Sequence, residues 1–185
     1  MKYPKIYRIP VSEFRVRGKR YLQPVDVKLL LSSCITIEEK VDGKLITEIC
    51  EDLVYYYEYM KFKHNIFYNN LPSTNIGIDV FDNELGFLPP DEKHKLFDLK
   101  YVSPAPILYE GMCNTAMLLS YLGTKSRFSD SKIEGIVIKN YKLQMFGKVV
   151  DPDFEDDGEA ITGTDDIDSS EHWSRKPIIL NEIRG

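Results

Sequence analysis

The chain has 185 residues, of which 43% are hydrophobic and 29% charged, so it can bury one substantial core. Its apolar runs are too short to cross a bilayer, and residues 1–5 lack the apolar stretch of a signal peptide. The three cysteines are widely spaced and odd in number, which fits neither a zinc site nor a disulfide framework. We therefore expect a single domain over residues 1–185, in a reduced, cytoplasmic protein without membrane contacts.

The net charge of -5 argues against a protein that coats nucleic acid, but the charge is unevenly distributed. Residues 1–20 are rich in lysine and arginine, and a basic strand is expected over residues 13–17. Residues 151–171 are strongly acidic and hold few apolar groups, so we expect a mobile loop there. A local basic surface is enough for phosphate contacts, and a nucleic-acid partner therefore stays possible.

The first half of the chain predicts strands around one lysine. A weak signal for a helix or a strand covers residues 25–31. The β-branched run over residues 36–40 predicts a strand that ends at Lys40, where a side chain is held rigidly. The Asp42-Gly43 dipeptide then predicts a hairpin turn into a partner strand over residues 44–49.

The rest of the chain continues the pattern of many strands and few, short helices. Strands are expected over residues 53–60, 75–81, 105–109, 133–139 and 142–150, and helices over residues 91–99 and 114–122. Asp91 is a possible helix cap, and residues 173–183 carry enough apolar groups to dock as a last strand or helix. The prediction is an α+β domain with mainly antiparallel sheets.

Lysines and carboxylates on strands form the set with chemical meaning. A lysine attacks as the neutral amine, and Lys139 and Lys148 would lower the pKa of Lys40 by repulsion if all three share one cleft. Such cations also stabilise the transfer of a phosphoryl group. Asp79 lies in an apolar strand, where an acid must be paired or face a polar cleft. Carboxylates of this kind can hold Mg²⁺ against phosphates, and the set therefore favours attack on a nucleotide phosphate.

Several segments, in order, resemble the motifs of the ATP-dependent RNA ligases, a family of covalent nucleotidyltransferases. Glu39-Lys40-Val41-Asp42-Gly43 resembles motif I. The segment around Glu58, with its continuation from His64 to Pro72, is similar to the family's Gly-Glu-aromatic segment. Three further segments resemble motifs III, IV and V, in this order: Ile78–Asp82, Glu134–Lys139 and Phe146–Lys148.

The resemblance implies a nucleotidyltransferase core, similar to ATP-grasp-like ligases, with mainly antiparallel sheets and short helices around a nucleotide cleft. It implies that Lys40 attacks the α-phosphorus of ATP, releases pyrophosphate and carries a lysyl-AMP intermediate. The AMP would pass to the 5′-phosphate of an RNA, and a 3′-hydroxyl would then displace it to seal the strand. ATP, Mg²⁺ or Mn²⁺, and RNA ends are the implied cofactors and partners, with RNA repair as the setting.

The same resemblance implies roles for individual side chains. Lys139 and Lys148 would hold the α-phosphate. The implied nucleotide contacts are Glu39, Asp42, Gly43, Glu58, Phe81 and Glu134, and the implied metal ligands are Glu58, Asp79 and Glu134. Phe81 is the nearest candidate for the ring that stacks on adenine, because Ile78 stands where the family usually has an aromatic residue.

The chain also departs from the family pattern. The segment between Gly43 and Glu58 is short and lacks the usual arginine, which Arg127 or an arginine of residues 8–20 would have to replace. Val150 stands in place of a second motif V lysine. A degenerate nucleotide- or RNA-end-binding module of the same fold is therefore an alternative. A DNA nick ligase, or a capping enzyme that uses GTP, is disfavoured by the spelling of the His64 to Pro72 segment.

Overall fold

The computed structural model describes residues 2–11, 18–154 and 178–184, and these contain ten strands and three α-helices. The strands are β1 Tyr7–Arg8, β2 Ile35–Glu39, β3 Lys44–Cys50, β4 Leu53–Tyr59, β5 Asn75–Asp82, β6 Gly86–Phe87, β7 Ser103–Pro104, β8 Ile107–Gly111, β9 Gly135–Asn140 and β10 Met145–Val150. The helices are α1 Pro24–Leu30, α2 Pro90–Leu99 and α3 Thr115–Tyr121.

The strands form two sheets. The first has the order β1-β10-β9-β2-β8, and the second has the order β3-β4-β5-β6 with β7 beside β5. Among the described strands, only β1 with β10 and β5 with β7 pair in parallel. The α+β class and the mainly antiparallel pairing are therefore confirmed. The expected basic strand at 13–17, and the acidic loop beyond residue 154, lie outside the described residues.

The hairpin predicted after Lys40 is wrong. β2 pairs with β8 and β9 in the first sheet, whereas β3 pairs with β4 in the second. The chain thus crosses between the sheets over residues 40–43 instead of turning back. At Gly43 an added Cβ would lie 2.7 Å from the Tyr59 carbonyl oxygen, so the crossing needs a residue without a side chain. This crossing places Lys40 at the boundary between the two sheets.

Each sheet packs its apolar face against helices. The first sheet buries a cluster with α1 and α3 that includes Leu30, Ile37, Leu118 and Ile138. The second sheet packs Tyr55, Tyr57 and Val80 against Phe97 of α2. Each such large side chain stabilises the fold by roughly 1.5–3 kcal/mol when it is fully buried. With one face of each sheet used in this way, polar side chains on other strand positions, such as Glu38 and Asp79, are left to meet between the sheets.

The helix ends and the tail differ in detail from the sequence prediction. Pro89 is the N-cap residue of α2, and no side chain caps this helix, so the proposed cap at Asp91 is wrong. Asn114 caps α3 by accepting a hydrogen bond from the Met117 N–H at 3.0 Å. The described part of the tail docks on the domain but forms neither the last strand nor the last helix that was predicted. It is held by isolated β-bridges, of Leu180 with Phe62 and of Ile183 with Leu71, and by hydrogen bonds of the Asn181 side chain with the backbone of Tyr68 and Met60.

Candidate active site

A cavity of about 260 Å³ lies between the two sheets, and Lys40 forms part of its wall. Five side chains predicted from the motifs line it: Glu39, Lys40, Glu58, Lys139 and Lys148. A larger depression of about 340 Å³ is lined by Glu48, Tyr57 and Lys100 among others, and it contains none of the predicted site residues. The convergence of motif residues therefore identifies the cavity at Lys40 as the candidate site, although it is the smaller of the two.

Lys40 is in direct contact with Glu134. The Lys40 Nζ lies 2.5 Å from Glu134 Oε2, and the Lys40 backbone N–H donates to the Gly135 carbonyl oxygen at 2.9 Å. The Lys40 side chain is 21% exposed and that of Glu134 is 7% exposed, so the amine reaches the cavity while its partner is mostly covered. Burial raises the pKa of Glu134 despite the opposing charge of Lys40.

Glu58 enters the same cavity from the second sheet. Burial raises the pKa of Glu58 to about 7, and the negative charges of Asp42 and Glu134 add to the rise, while Lys40 opposes it. Its Oε2 atom is buried and has no hydrogen-bond partner among the described atoms. A buried polar atom of this kind is rare in folded proteins. It is placed to accept a hydrogen bond from a ligand hydroxyl or to bind a cation.

The pKa of Glu58 predicts a pH-dependent stability. The folded protein keeps a proton on Glu58 that the unfolded chain, with a pKa near 4.5, releases as the pH rises. The folded state therefore loses stability between about pH 4.5 and 7. At pH 8, Glu58→Gln should raise the free energy of unfolding by about 2 kcal/mol, or roughly 4–8 °C in Tm, with no gain at pH 4.

Thermal melts across this pH range would measure the effect. Glu51→Gln is the matched control, because Glu51 is exposed in the turn between β3 and β4. Equal Tm differences for the Glu58 variant at pH 4 and pH 8 would contradict the burial of a titrating carboxyl at this position.

Two motif I carboxylates hold neighbouring loops. Glu39 accepts hydrogen bonds from Ser126 Oγ at 2.5 Å and from the Arg127 N–H at 3.2 Å, and burial raises its pKa. Asp42 accepts a hydrogen bond from the Asn65 N–H at 2.7 Å. The carboxylates predicted to contact a nucleotide thus fix the loops that frame the cavity in this structure.

Lys148 brings a second cation to the Lys40 cavity. In the parallel pairing of β1 with β10, Lys148 lies opposite Arg8. Burial lowers the pKa of Lys148, and the positive charges of Lys40 and Arg8 lower it further, while Glu134 opposes them. Lys40 and Lys148 both line the cavity, and Arg8 lies beside Lys148, so the three cations surround one space. The predicted convergence of Lys148 and Lys40 is therefore seen in the structure.

Lys139 lines the cavity but is held by a buried ion-pair cluster. Its Nζ lies 2.7 Å from Glu38, 2.8 Å from Asp79 and 2.8 Å from the Ile78 carbonyl oxygen. Burial by itself lowers the pKa of Lys139, but the charges of Asp79 and Glu38 outweigh it and raise the pKa. Lys139 therefore faces two carboxylates in this structure, which differs from the predicted contact with a phosphate.

Lys93 completes this cluster and was missed in the sequence. It extends from α2 and places its Nζ 2.6 Å from Glu38 and 3.3 Å from Asp79. The side chains of the four members, Glu38, Asp79, Lys93 and Lys139, are each at most 2% exposed. A sequence signal existed, since Lys93 lies four residues before the buried Phe97 and so shares its helix face.

Asp79 and Phe81 do not lie where their predicted roles require. Asp79 is fully buried, and its carboxylate accepts hydrogen bonds from Lys139, Lys93, Tyr3 and Tyr141. That placement argues against a metal ligand, because the oxygens already have partners. Phe81 is not part of the cavity lining and packs edge-on against Phe87, at 5.1 Å between ring centroids. Ile78 is the residue of β5 that lines the cavity, so this geometry does not place Phe81 where the expected contact with adenine requires it.

The described residues contain no group of three or more His, Cys, Asp or Glu side chains that could hold a metal ion. Glu58 and Glu134 remain as carboxylates beside Lys40, and the buried Oε2 of Glu58 lacks a partner. Mg²⁺ commonly binds through one or two carboxylates together with waters and substrate phosphates. The donor set therefore fits a metal that arrives with a nucleotide, and it does not fit a site made by the protein alone.

Comparison with known proteins gives a family and a fold. The family model for RNA ligase matches residues 38–150, which is more than half of the chain. No curated protein sequence matches the chain. Within the described residues, no helix is long and apolar enough to cross a membrane.

Solved structures of a Naegleria gruberi RNA ligase share the fold. A mutant form with ATP and Mn is 14% identical, with a TM-score of 0.55, and the match covers 70% of this chain and 53% of that chain. Another mutant with ATP and Mn is 15% identical, with a TM-score of 0.57 and coverage of 82% and 58%. The form with PPi is 15% identical, with a TM-score of 0.51 and coverage of 67% and 52%. The chain thus spans about half the length of these ligases.

Proposed function

Because this chain belongs to the RNA ligase family, we propose that it is an ATP-dependent RNA ligase that forms lysyl-AMP on Lys40. The observation that carries the proposal is the contact of Lys40 with Glu134 in a cavity that also holds Glu58 and Lys148. An amine, a carboxylate partner and a second cation around one space suit attack on a phosphate.

In the first step, the Lys40 Nζ attacks the α-phosphorus of ATP. A nitrogen–phosphorus bond forms, the bond from this phosphorus to the oxygen that bridges to the β-phosphate breaks, and pyrophosphate leaves. The attacking amine must lose a proton, and Glu134, 2.5 Å away with a raised pKa, is the group that can accept it. Lys148 faces the same space and offsets negative charge on the phosphate.

A divalent cation, Mg²⁺ or Mn²⁺, is part of the proposal. Glu58 and Glu134 would hold it together with phosphate oxygens and water, since Glu58 has a buried oxygen without a partner among the described atoms and Glu134 is the carboxylate in contact with Lys40. The ion would neutralise charge on the phosphates as it accumulates during the reaction. Asp79 is left out of this set because Lys93 and Lys139 already pair with it.

The remaining predicted residues take supporting roles in this proposal. Lys139 holds Glu38 and Asp79 together across the two sheets and so positions the cavity wall. Asp42 fixes the loop at Asn65 and, with Gly43, the crossing that follows Lys40. Glu39 fixes the segment at Ser126. In this proposal these residues hold the wall and the loops of the cavity in place. A direct contact of the same side chains with the nucleotide stays a prediction.

Arg8 is the best candidate for the arginine missing after motif I. It lies beside Lys148 in the sheet pairing, and the charge of Glu134 acts on its pKa, which burial lowers. Arg127, the other candidate, uses its backbone N–H to bind Glu39, and its side chain is exposed. We propose that Arg8 adds positive charge for the pyrophosphate or the RNA 5′-phosphate. In the later steps, AMP passes to that 5′-phosphate and a 3′-hydroxyl displaces it.

Intact-mass measurement of the protein incubated with ATP and Mg²⁺ or Mn²⁺ tests the proposal. The expected result is a gain of one AMP, and no gain with GTP. A 5′-phosphorylated RNA with a neighbouring 3′-hydroxyl should then be sealed. Absence of any mass gain with either metal would overturn the proposal.

The alternative is a degenerate module that binds a nucleotide or an RNA end without completing ligation. The short connection between Gly43 and Glu58 favours it, since that segment forms only β3 and a tight turn into β4. Bound ATP, or AMP on the protein, without any sealing of RNA ends would support this alternative over a full ligase.

A further inference from the structure

Tyr3 is the one aromatic side chain in the cavity lining among the residues that the structure describes. It lies in the N-terminal segment, which leads into β1, and Pro4 and Ile6 of this segment also line the cavity. No motif of the sequence pointed to this segment as part of the site.

The Tyr3 ring is fixed on several sides. Its centroid lies 4.8 Å from that of Tyr56 and 5.9 Å from that of Phe87. Its hydroxyl donates a hydrogen bond to Asp79, and burial raises the pKa of this hydroxyl, so the group stays a neutral donor. A ring held by packing and by a hydrogen bond is preorganised, and a ligand need not immobilise it on binding.

The second sheet, whose strand β5 carries the segment that resembles motif III, contributes no aromatic ring to the described lining of the cavity. Ile78 is the residue of β5 that lines it, and the ring of Phe81 packs elsewhere against Phe87. Apolar side chains from the first sheet and from the connection after β7, Val137 and Ala105, complete this wall. A flat aromatic ring among apolar side chains is the surface on which a nucleic-acid base packs.

We infer that Tyr3 is the ring that contacts the purine base of ATP, so that the N-terminal segment supplies the contact that β5 lacks. The inference rests on the proposed function, because it takes ATP as the ligand of the cavity. The Tyr3 hydroxyl binds Asp79, which also binds Lys139, so the base contact is joined to the buried ion-pair cluster. ATP binding therefore requires the N-terminal segment to be in place.

The test compares Tyr3→Leu and Tyr3→Phe with Phe81→Leu as the matched control, since Phe81 is a ring outside the cavity. The rate of AMP acquisition is measured against ATP concentration. Tyr3→Leu should raise the half-saturating ATP concentration roughly five- to hundredfold, the usual effect of losing a base-stacking ring. The rate at saturating ATP should change less than about threefold, and Tyr3→Phe should stay near wild type because the ring remains.

A purely structural role of Tyr3 gives a different result. Loss of folded protein lowers the maximal rate and leaves the half-saturating concentration unchanged, and that outcome overturns the inference. If Tyr3→Leu fails to melt cooperatively, Tyr3→Trp replaces it. With Trp173→Phe as the background of both variants, the fluorescence of Tyr3→Trp should be quenched by ATP, whereas that of Phe81→Trp should not, and equal behaviour of the two overturns the inference.

Calorimetric titration with ATP separates this inference from the proposed function. If the wild type binds ATP but never acquires AMP, the ligase proposal fails, and weaker binding by Tyr3→Leu still supports the base contact. If Tyr3→Leu binds ATP as tightly as the wild type, the base contact fails whatever the covalent chemistry. Absence of ATP binding by the wild type overturns both.

Discussion

Replacing Lys40 with alanine should abolish the acquisition of AMP from ATP. The amine that contacts Glu134 in the cavity is then gone, and no bond to the α-phosphorus can form at this position. Lys40→Arg should be equally inactive, because a guanidinium keeps its proton at any pH at which the protein is folded. Intact-mass measurement after incubation with ATP and Mn²⁺ detects the loss directly.

The control for this experiment is Lys44→Ala. Lys44 lies four residues after Lys40. It is the exposed first residue of β3 and does not line the cavity. Its variant should acquire AMP at a rate close to that of the wild type. Labelling that survives in Lys40→Ala would exclude Lys40 as the nucleophile, and peptide mapping of the adduct would then show which side chain carries it.

Replacing Lys93 with methionine should lower the free energy of unfolding by roughly 3–5 kcal/mol, because Glu38 and Asp79 then share the single charge of Lys139. One carboxylate is left buried without a full partner, and a buried charge of this kind is costly. For a chain of this size the expected fall in Tm is roughly 6–20 °C. Thermal and urea unfolding monitored by circular dichroism measure the effect.

Lys95→Met is the matched control, since Lys95 lies two residues along the same helix and is exposed. Its effect should stay within about 0.5 kcal/mol. In addition, Glu38→Gln combined with Lys93→Met should cost less than the sum of the single changes, because the pair then leaves no net buried charge. Additive losses would mean that Lys93 stabilises the fold by packing and not by charge pairing.

The sequence predicts the local elements, and several of the side chains that line the cavity, better than the pairing of the strands in three dimensions. Lys40, Glu58 and Lys148 line one cavity and Glu134 contacts Lys40, which agrees with the order of the motifs. The acid inside the apolar strand β5 correctly signals that Asp79 must be paired, because an isolated buried carboxylate is too costly to keep.

The failures arise where tertiary contacts override local signals. Asp42-Gly43 has the composition of a hairpin turn, yet the chain crosses here to the second sheet. β3 pairs there with β4, and Gly43 packs against the carbonyl group of Tyr59 in that strand. Lys139 and Asp79 lie 60 residues apart in the chain, and nothing local indicates their contact. Tyr3 lies in a segment without a motif. That it lines the cavity, packed against Tyr56 and Phe87, is visible only in the three-dimensional structure.

The buried ion-pair cluster and the half-buried cations at the cavity should respond differently to ionic strength. Glu38 and Lys139 come from the first sheet and Asp79 from the second, so their attraction fixes the separation of the two cavity walls. Dissolved salt screens charges that water can reach, and it acts far less on pairs that water does not reach. Lys148 and Arg8 are only half-buried, and contacts of such cations with phosphates weaken as salt is added. We therefore expect the separation of the two cavity walls to depend less on salt than the contacts of Lys148 and Arg8 with an anion.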